Sequence, residues 1–167
     1  MENQATCNAL PGPVSGCLSL ILVRKVADKL YSSMETNMSK NVQILVVDDD
    51  DFLREAIVEI LEPHFSVKSA QSGKAALEVV KANSIDIVLS DVSMPNGTGI
   101  ELLAWIREMN PSSPVVVLVT GYSTMTPEEA IKRGAYAVIP KPFGSRVLLD
   151  AVNKIVSDHQ LASKHSA

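Results

Sequence analysis

The chain has 167 residues, 46% hydrophobic and 20% charged, which suits one packed domain and excludes wholesale disorder. No apolar run approaches the ~18 residues that a membrane-spanning helix needs. The formal net charge of −4 argues against a nucleic-acid binder, which ordinarily carries a basic face.

Residues 1–40 read as an N-terminal extension, partly helical or disordered. They hold Pro11-Gly12-Pro13, an apolar run from Leu18 to Val23, and then Arg24, Lys25 and Lys29. Positive charge follows the apolar run instead of preceding it, which is the wrong order for a secretory signal. Leu18, Ile21, Leu22, Val26 and Leu30 can share one side of a helix, so a docking or dimerising segment competes with a frayed extension. Met34 and Met38 offer later start points. Cys7 and Cys17 form no CxxC pair, so a zinc site or disulfide scaffold is not expected, and a reducing, cytoplasmic compartment fits. His64, His159 and His165 lack metal-ligand spacing.

From Asn41 the pattern turns regular. Gln43–Val47 is an apolar, β-branched strand that ends in four aspartates, Asp48–Asp51. Leu53, Ala56, Ile57, Ile60 and Leu61 predict one face of a helix stopped by Pro63. A second strand is predicted over Phe65–Ser69, and Ser72 caps a helix carrying Ala76, Leu77 and Val80. Ile85–Leu89 is the third strand, followed by a loop containing Pro95, Asn96, Gly97 and Gly99. Leu102, Leu103 and Ile106 line the third helix, which stops before Pro111. The unbroken run Val115–Val119 suits a strand covered on both faces. A short helix over Pro127–Arg133, a strand over Tyr136–Ile139 and a helix over Val147–Ser157 complete the series. Strands alternating with helices imply an α/β domain, a parallel sheet with right-handed crossovers and helices on both faces. The domain spans residues 41–158, and 159–167 form a tail.

In such a sheet ligands bind beyond the carboxyl ends of the strands. Those ends carry Asp48 and Asp49, Asp91, Thr120 and Lys141, each directly after an apolar run. If the first and third strands are neighbours, ~4.8 Å apart, three carboxylates crowd one small volume and repel unless a cation intervenes. Mg2+, a hard ion that takes oxygen ligands and keeps water and phosphate around it, answers that need. Lys141 suits a phosphoryl oxygen, and Thr120 can donate a hydrogen bond to one. Together they describe a phosphoryl-transfer site. Taken singly each has a plainer reading: a solvated acidic loop, a turn threonine, an exposed lysine. Asp50 and Asp51 are expected to complement the dipole of the helix starting near Phe52.

The motifs ILVVDDD (Ile44–Asp50), DIVLSDVSMPNGTGIELL (Asp86–Leu103), VVVLVTG (Val115–Gly121) and IPKPF (Ile139–Phe143) resemble the receiver domain of bacterial two-component response regulators. The resemblance runs from Val42 to about Asp158. It implies a flavodoxin-like doubly wound (βα)5 fold with strand order 2-1-3-4-5. It implies Asp91 as phosphoacceptor, with Thr120 as switch hydroxyl and Lys141 as phosphate-binding ammonium. Asp48, Asp49, Asp91 and the backbone carbonyl of Ser93 would hold Mg2+, and Lys141-Pro142 would be cis. Ser93 and Tyr122 would flank the approach of hydrolytic water.

By the same resemblance the chain is a stand-alone phosphoprotein of phosphorelay signalling and not a turnover enzyme, although it takes part in its own phosphorylation and dephosphorylation. Its partners would be a sensor histidine kinase or histidine phosphotransfer protein and a downstream protein target, with neither nucleic acid nor membrane. The output surface would be the fourth helix, fifth strand and fifth helix, which could also mediate a homodimer. One departure stands out: where the family often has Phe or Tyr, three residues before the lysine, this chain has Val138. Tyr136 would lie on the same side of the strand. Two other readings compete. One is a receiver-like adaptor that works without phosphorylation. The other is a haloacid-dehalogenase-like phosphatase opening on Asp48-x-Asp50, for which only Asp150 and Asp158 follow the lysine.

Overall fold

The computed structural model describes residues 41–121 and 125–165, with side chains as far as His159. These residues belong to one of the two units into which the chain divides, residues 37–167. The expected extension over 1–40, with both cysteines, and Tyr122 lie outside the described residues.

The elements alternate: β1 (Gln43–Val47), α1 (Asp51–Leu61), β2 (Ser66–Ala70), α2 (Gly73–Ala82), β3 (Ile87–Asp91), α3 (Gly99–Met109), β4 (Val115–Thr120), α4 (Pro127–Lys132), β5 (Ala137–Pro140) and α5 (Ser145–His165). The five strands form one sheet in the order β2-β1-β3-β4-β5, and every neighbouring pair is parallel. This is the flavodoxin-like arrangement the motifs imply.

Side chains alternate across a strand, and here both faces are buried. Ile44 and Val46 of β1, Ile87 and Leu89 of β3 and Val117 of β4 pack with Ile57 and Leu61 of α1 and Leu148, Val152 and Ile155 of α5. Leu45 and Val47, Val88, and Val116 and Leu118 point the other way, onto Ala76 of α2, Leu102, Leu103 and Ile106 of α3 and Ala130 of α4. The continuous apolar runs of β1, β3 and β4 follow from this double burial.

Local chemistry starts each of the first four helices. Asp50 accepts from the backbone N–H groups of Phe52 and Leu53, and Ser72 accepts from that of Ala75. Thr98 with Glu101 and Thr126 with Glu129 form capping boxes, satisfying N–H groups that a helix start leaves open.

The observed bounds differ from expectation where polar residues are involved. β3 runs on through Ser90 and Asp91 because both continue the ladder with β4, opposite Leu118 and Val119. β4 likewise includes Thr120. β5 begins at Ala137, which leaves Tyr136 ahead of the strand. α5 starts at Ser145 and extends to His165, since no Gly or Pro interrupts that stretch. On α1, Ile57 and Leu61 are buried, whereas Ala56 faces solvent.

The loop from β3 to α3 packs tightly against the sheet end. Asn96 and Gly97 both take positive φ, 57° and 108°, and the Gly99 N–H donates to the Val92 carbonyl at 3.1 Å. A Cβ on Gly99 would run into the carbonyl oxygen of Asp91 and stand 2.8 Å from Ser90 Oγ. Gly99→Ala is therefore expected to lower stability by ~1–3 kcal/mol through overpacking. Urea unfolding checks this: the midpoint falls while the slope stays the same.

Candidate functional site

β1, β3, β4 and β5 all point their carboxyl ends to one edge of the sheet, and four residues singled out from the sequence meet there. Asp48 and Asp91 are buried, 2% and 7% exposed. The ammonium of Lys141, which follows β5, bridges them: Nζ is 2.9 Å from Asp48 Oδ2 and 2.6 Å from Asp91 Oδ1. The Lys141 backbone N–H donates to the Thr120 carbonyl at 2.7 Å, which ties the lysine to the end of β4. The Lys141-Pro142 peptide bond is cis, as expected, and Ser113-Pro114 is cis as well.

Each carboxylate has a second anchor. Asp48 Oδ1 accepts from the backbone N–H of Asp50 at 3.0 Å. Asp91 Oδ2 accepts from the backbone N–H of Ser93 at 2.6 Å. Charged groups buried in a sheet end are tolerated only with such partners.

Thr120 Oγ1 is buried and has no hydrogen-bond partner. A buried hydroxyl without a partner costs free energy, so this one is a donor suited to an added acceptor. Beside the cluster a cavity of about 570 Å³ is lined by Leu53, Gly121, Lys141, Pro142 and Phe143.

Asp49 is exposed, and among the described residues no three His, Cys, Asp or Glu side chains stand as a ready cation site. Three carboxylates brought together without a counter-charge would repel; Lys141 gathers two, and the third faces water. Tyr136 stands just ahead of β5, its N–H donating to the Val116 carbonyl. It is 42% exposed, and its hydroxyl donates to Asp158 of α5. Val138 instead packs against the α2–α3 side of the core.

Asp150 pairs with Arg146, and Asp158 with Lys154 as well as Tyr136. The two acids that follow Lys141 are thus engaged on α5. One residue near the site had not been singled out from the sequence: Arg54, whose guanidinium bonds the Asp48 carbonyl. Its only trace in the chain is its spacing of three from Asp51.

Burial pulls the Lys141 ammonium toward its neutral form, but hydrogen bonds to Asp91 and Asp48 and their charges outweigh this and raise its pKa. A folded-state value above the unfolded ~10.4 means the stabilisation is complete below that pH and is lost as pH rises through the raised value. Urea unfolding between pH 8 and 12 should show wild type losing stability more steeply above about pH 10 than Lys141→Met does.

Comparison with known proteins agrees with this geometry. Residues 44–153 match the family described as the response regulator receiver domain. The chemotaxis protein CheY of Halobacterium salinarum is 32% identical over 116 residues, covering 69% of this chain and 97% of that protein. The response regulator protein FleR of Pseudomonas aeruginosa is 38% identical over 112 residues, which make up 66% of this chain but 24% of FleR. Among solved structures, a CheY-like receiver domain protein of Methanospirillum hungatei superposes with a TM-score of 0.67 at 27% identity, covering 72% of this chain and 98% of its own. The BeF3-activated DrrB receiver domain superposes with a TM-score of 0.63 at 28% identity, covering 70% and 97%. With its five-stranded parallel sheet and its lysine-bridged aspartates, the chain belongs to the receiver-domain family of two-component response regulators, a family of signalling domains.

Proposed function

We propose that Asp91 accepts a phosphoryl group from a phosphohistidine of a sensor histidine kinase or histidine phosphotransfer protein. The observation that carries this reading is the single ammonium of Lys141 shared by two buried aspartates, next to the unpartnered hydroxyl of Thr120. Anion, cation and idle donor are the parts a transferring phosphoryl group requires.

An Asp91 carboxylate oxygen forms the new bond to phosphorus as the P–N bond to the donor histidine breaks, and the imidazole keeps that electron pair. Lys141 stays protonated and offsets charge on the phosphoryl oxygens. Its attraction to one such oxygen is worth ~4 kcal/mol at 4 Å in an environment of effective dielectric 20. The donor set is all oxygen, which fits Mg2+. Asp48, Asp49, Asp91 and the carbonyl of Ser93 would hold the ion, which supplies charge neutralisation to the carboxylates and phosphoryl group when bound.

The acyl phosphate adds about −2 charge beside Thr120, and the Thr120 hydroxyl gains an acceptor. That contact would bias the α4–β5–α5 face between two states. Driving such an equilibrium from 1:99 to 99:1 takes ~5.5 kcal/mol of differential stabilisation. The face exposes Ile131 on α4, Tyr136 ahead of β5 and Val147 on α5, apolar groups suited to a protein target or a second copy of the chain. Since Val138 packs, partly buried, against the core and Tyr136 is held by Asp158, the signal would pass through Thr120 and Gly121 instead of an aromatic side chain.

A small phosphodonor with Mg2+ should shift wild type on a phosphate-affinity gel and leave Asp91→Asn unshifted. Beryllofluoride, which activates the DrrB receiver domain, should likewise bind wild type alone. Equal labelling of the two proteins would remove Asp91 as acceptor. Turnover of a generic phosphomonoester that Asp48→Asn abolishes and Asp91→Asn spares would favour a phosphatase.

A further inference from the structure

Arg54 lies in the first turns of α1, and its side chain is 14% exposed, low for an arginine. Long helical side chains lean back toward the N-terminus, and this one folds over the β1–α1 turn. Nη1 donates to the backbone carbonyl of Asp48 at 2.9 Å, and Nη2 pairs with Asp51 Oδ1 at 2.5 Å.

The first contact matters for the site. Asp48 is held at every polar atom: its N–H donates to the Ala70 carbonyl, Oδ1 accepts from Asp50 and Oδ2 from Lys141, and Arg54 takes the carbonyl. Without Arg54 that buried carbonyl would lose its side-chain donor, and the turn carrying Asp48 and Asp49 would lose the brace that joins it to α1. A guanidinium does this well, since its planar fork holds two acceptors at once. Nor does Arg54 bond either carboxylate of the buried pair, so those oxygens remain for Lys141 and a cation.

On the reading of Asp91 as a Mg2+-dependent phosphoacceptor, we infer that Arg54 is a positioning residue that sets the Asp48–Asp49 turn for the divalent cation. The alternative, that Arg54 only tempers the acidic run, makes the opposite prediction. Deleting a cation beside a cation site strengthens Mg2+ binding by electrostatics alone, whereas deleting a brace weakens it. The sign of the change decides.

Isothermal titration of the full chain with Mg2+ at constant ionic strength reads this directly. Arg54→Lys keeps the charge and loses the fork; Arg54→Met keeps the apolar stem and loses both. Loss of a group that orients a metal ligand typically costs 10–100-fold in affinity, so Arg54→Met should bind Mg2+ at least about ten-fold more weakly, with Arg54→Lys between it and wild type. The Mg2+ concentration that half-saturates Asp91 labelling by a small phosphodonor should rise in the same order, by more than the maximal rate falls. Thermal melts without Mg2+ check that each variant is folded, and Arg54→Lys carries the test alone if Arg54→Met is not. Unchanged or tighter Mg2+ binding in Arg54→Lys overturns the inference while leaving the phosphoacceptor reading intact. A wild-type chain that neither binds Mg2+ nor labels overturns both.

Discussion

Two carboxylates are buried at one end of a parallel sheet, and one ammonium lies between them. Moving a carboxylate out of water costs several kcal/mol, and two beside each other add repulsion. The Lys141 nitrogen, 2.6 Å from Asp91 and 2.9 Å from Asp48, relieves both costs. A lysine suits the place because its four-carbon stem reaches back across β4 while a compact charge ends it. The backbone bond from Lys141 to Thr120 fixes where that stem starts.

The rest of the fold serves this convergence. Helices cover both faces of the sheet, so the interiors of β1, β3 and β4 are apolar, and polarity begins abruptly at or just past their carboxyl ends. There the loops are drawn in by short contacts. Gly99 abuts the Asp91 backbone, the Ser93 N–H holds the Asp91 carboxylate, and Asp50 does the same for Asp48 while its own side chain caps α1. Capping and carboxylate positioning are thus done by one residue at one turn.

The opposite side of the story is the α4–β5–α5 face. Tyr136, Asp158 and Lys154 form a chain of polar contacts there. The hydrogen bond from Tyr136, and then that from Lys154, hold the Asp158 carboxyl below the usual range. Tyr136 precedes β5 by one residue, and its N–H donates to the Val116 carbonyl of β4. The Tyr136 side chain is exposed, and its hydroxyl meets a charged partner on α5.

Much of this protein was legible along the chain. Periodicity and abrupt polarity placed the strands, the helices and the run of residues 48, 49, 91, 120 and 141 at strand ends, because burial on two faces leaves no other pattern available to a parallel sheet. The motifs supplied the strand order and the cis bond at Lys141-Pro142. What distance along the chain could not encode is how charges share partners once folded. Only the tertiary structure decided that Lys141 takes Asp48 and Asp91 while Asp49 turns to water, that Thr120 is buried without a partner, and that Arg54 reaches back to the Asp48 carbonyl. Those outcomes depend on ångström-scale competition between burial, repulsion and hydrogen bonding among residues as many as 93 positions apart, and no local pattern carries that information.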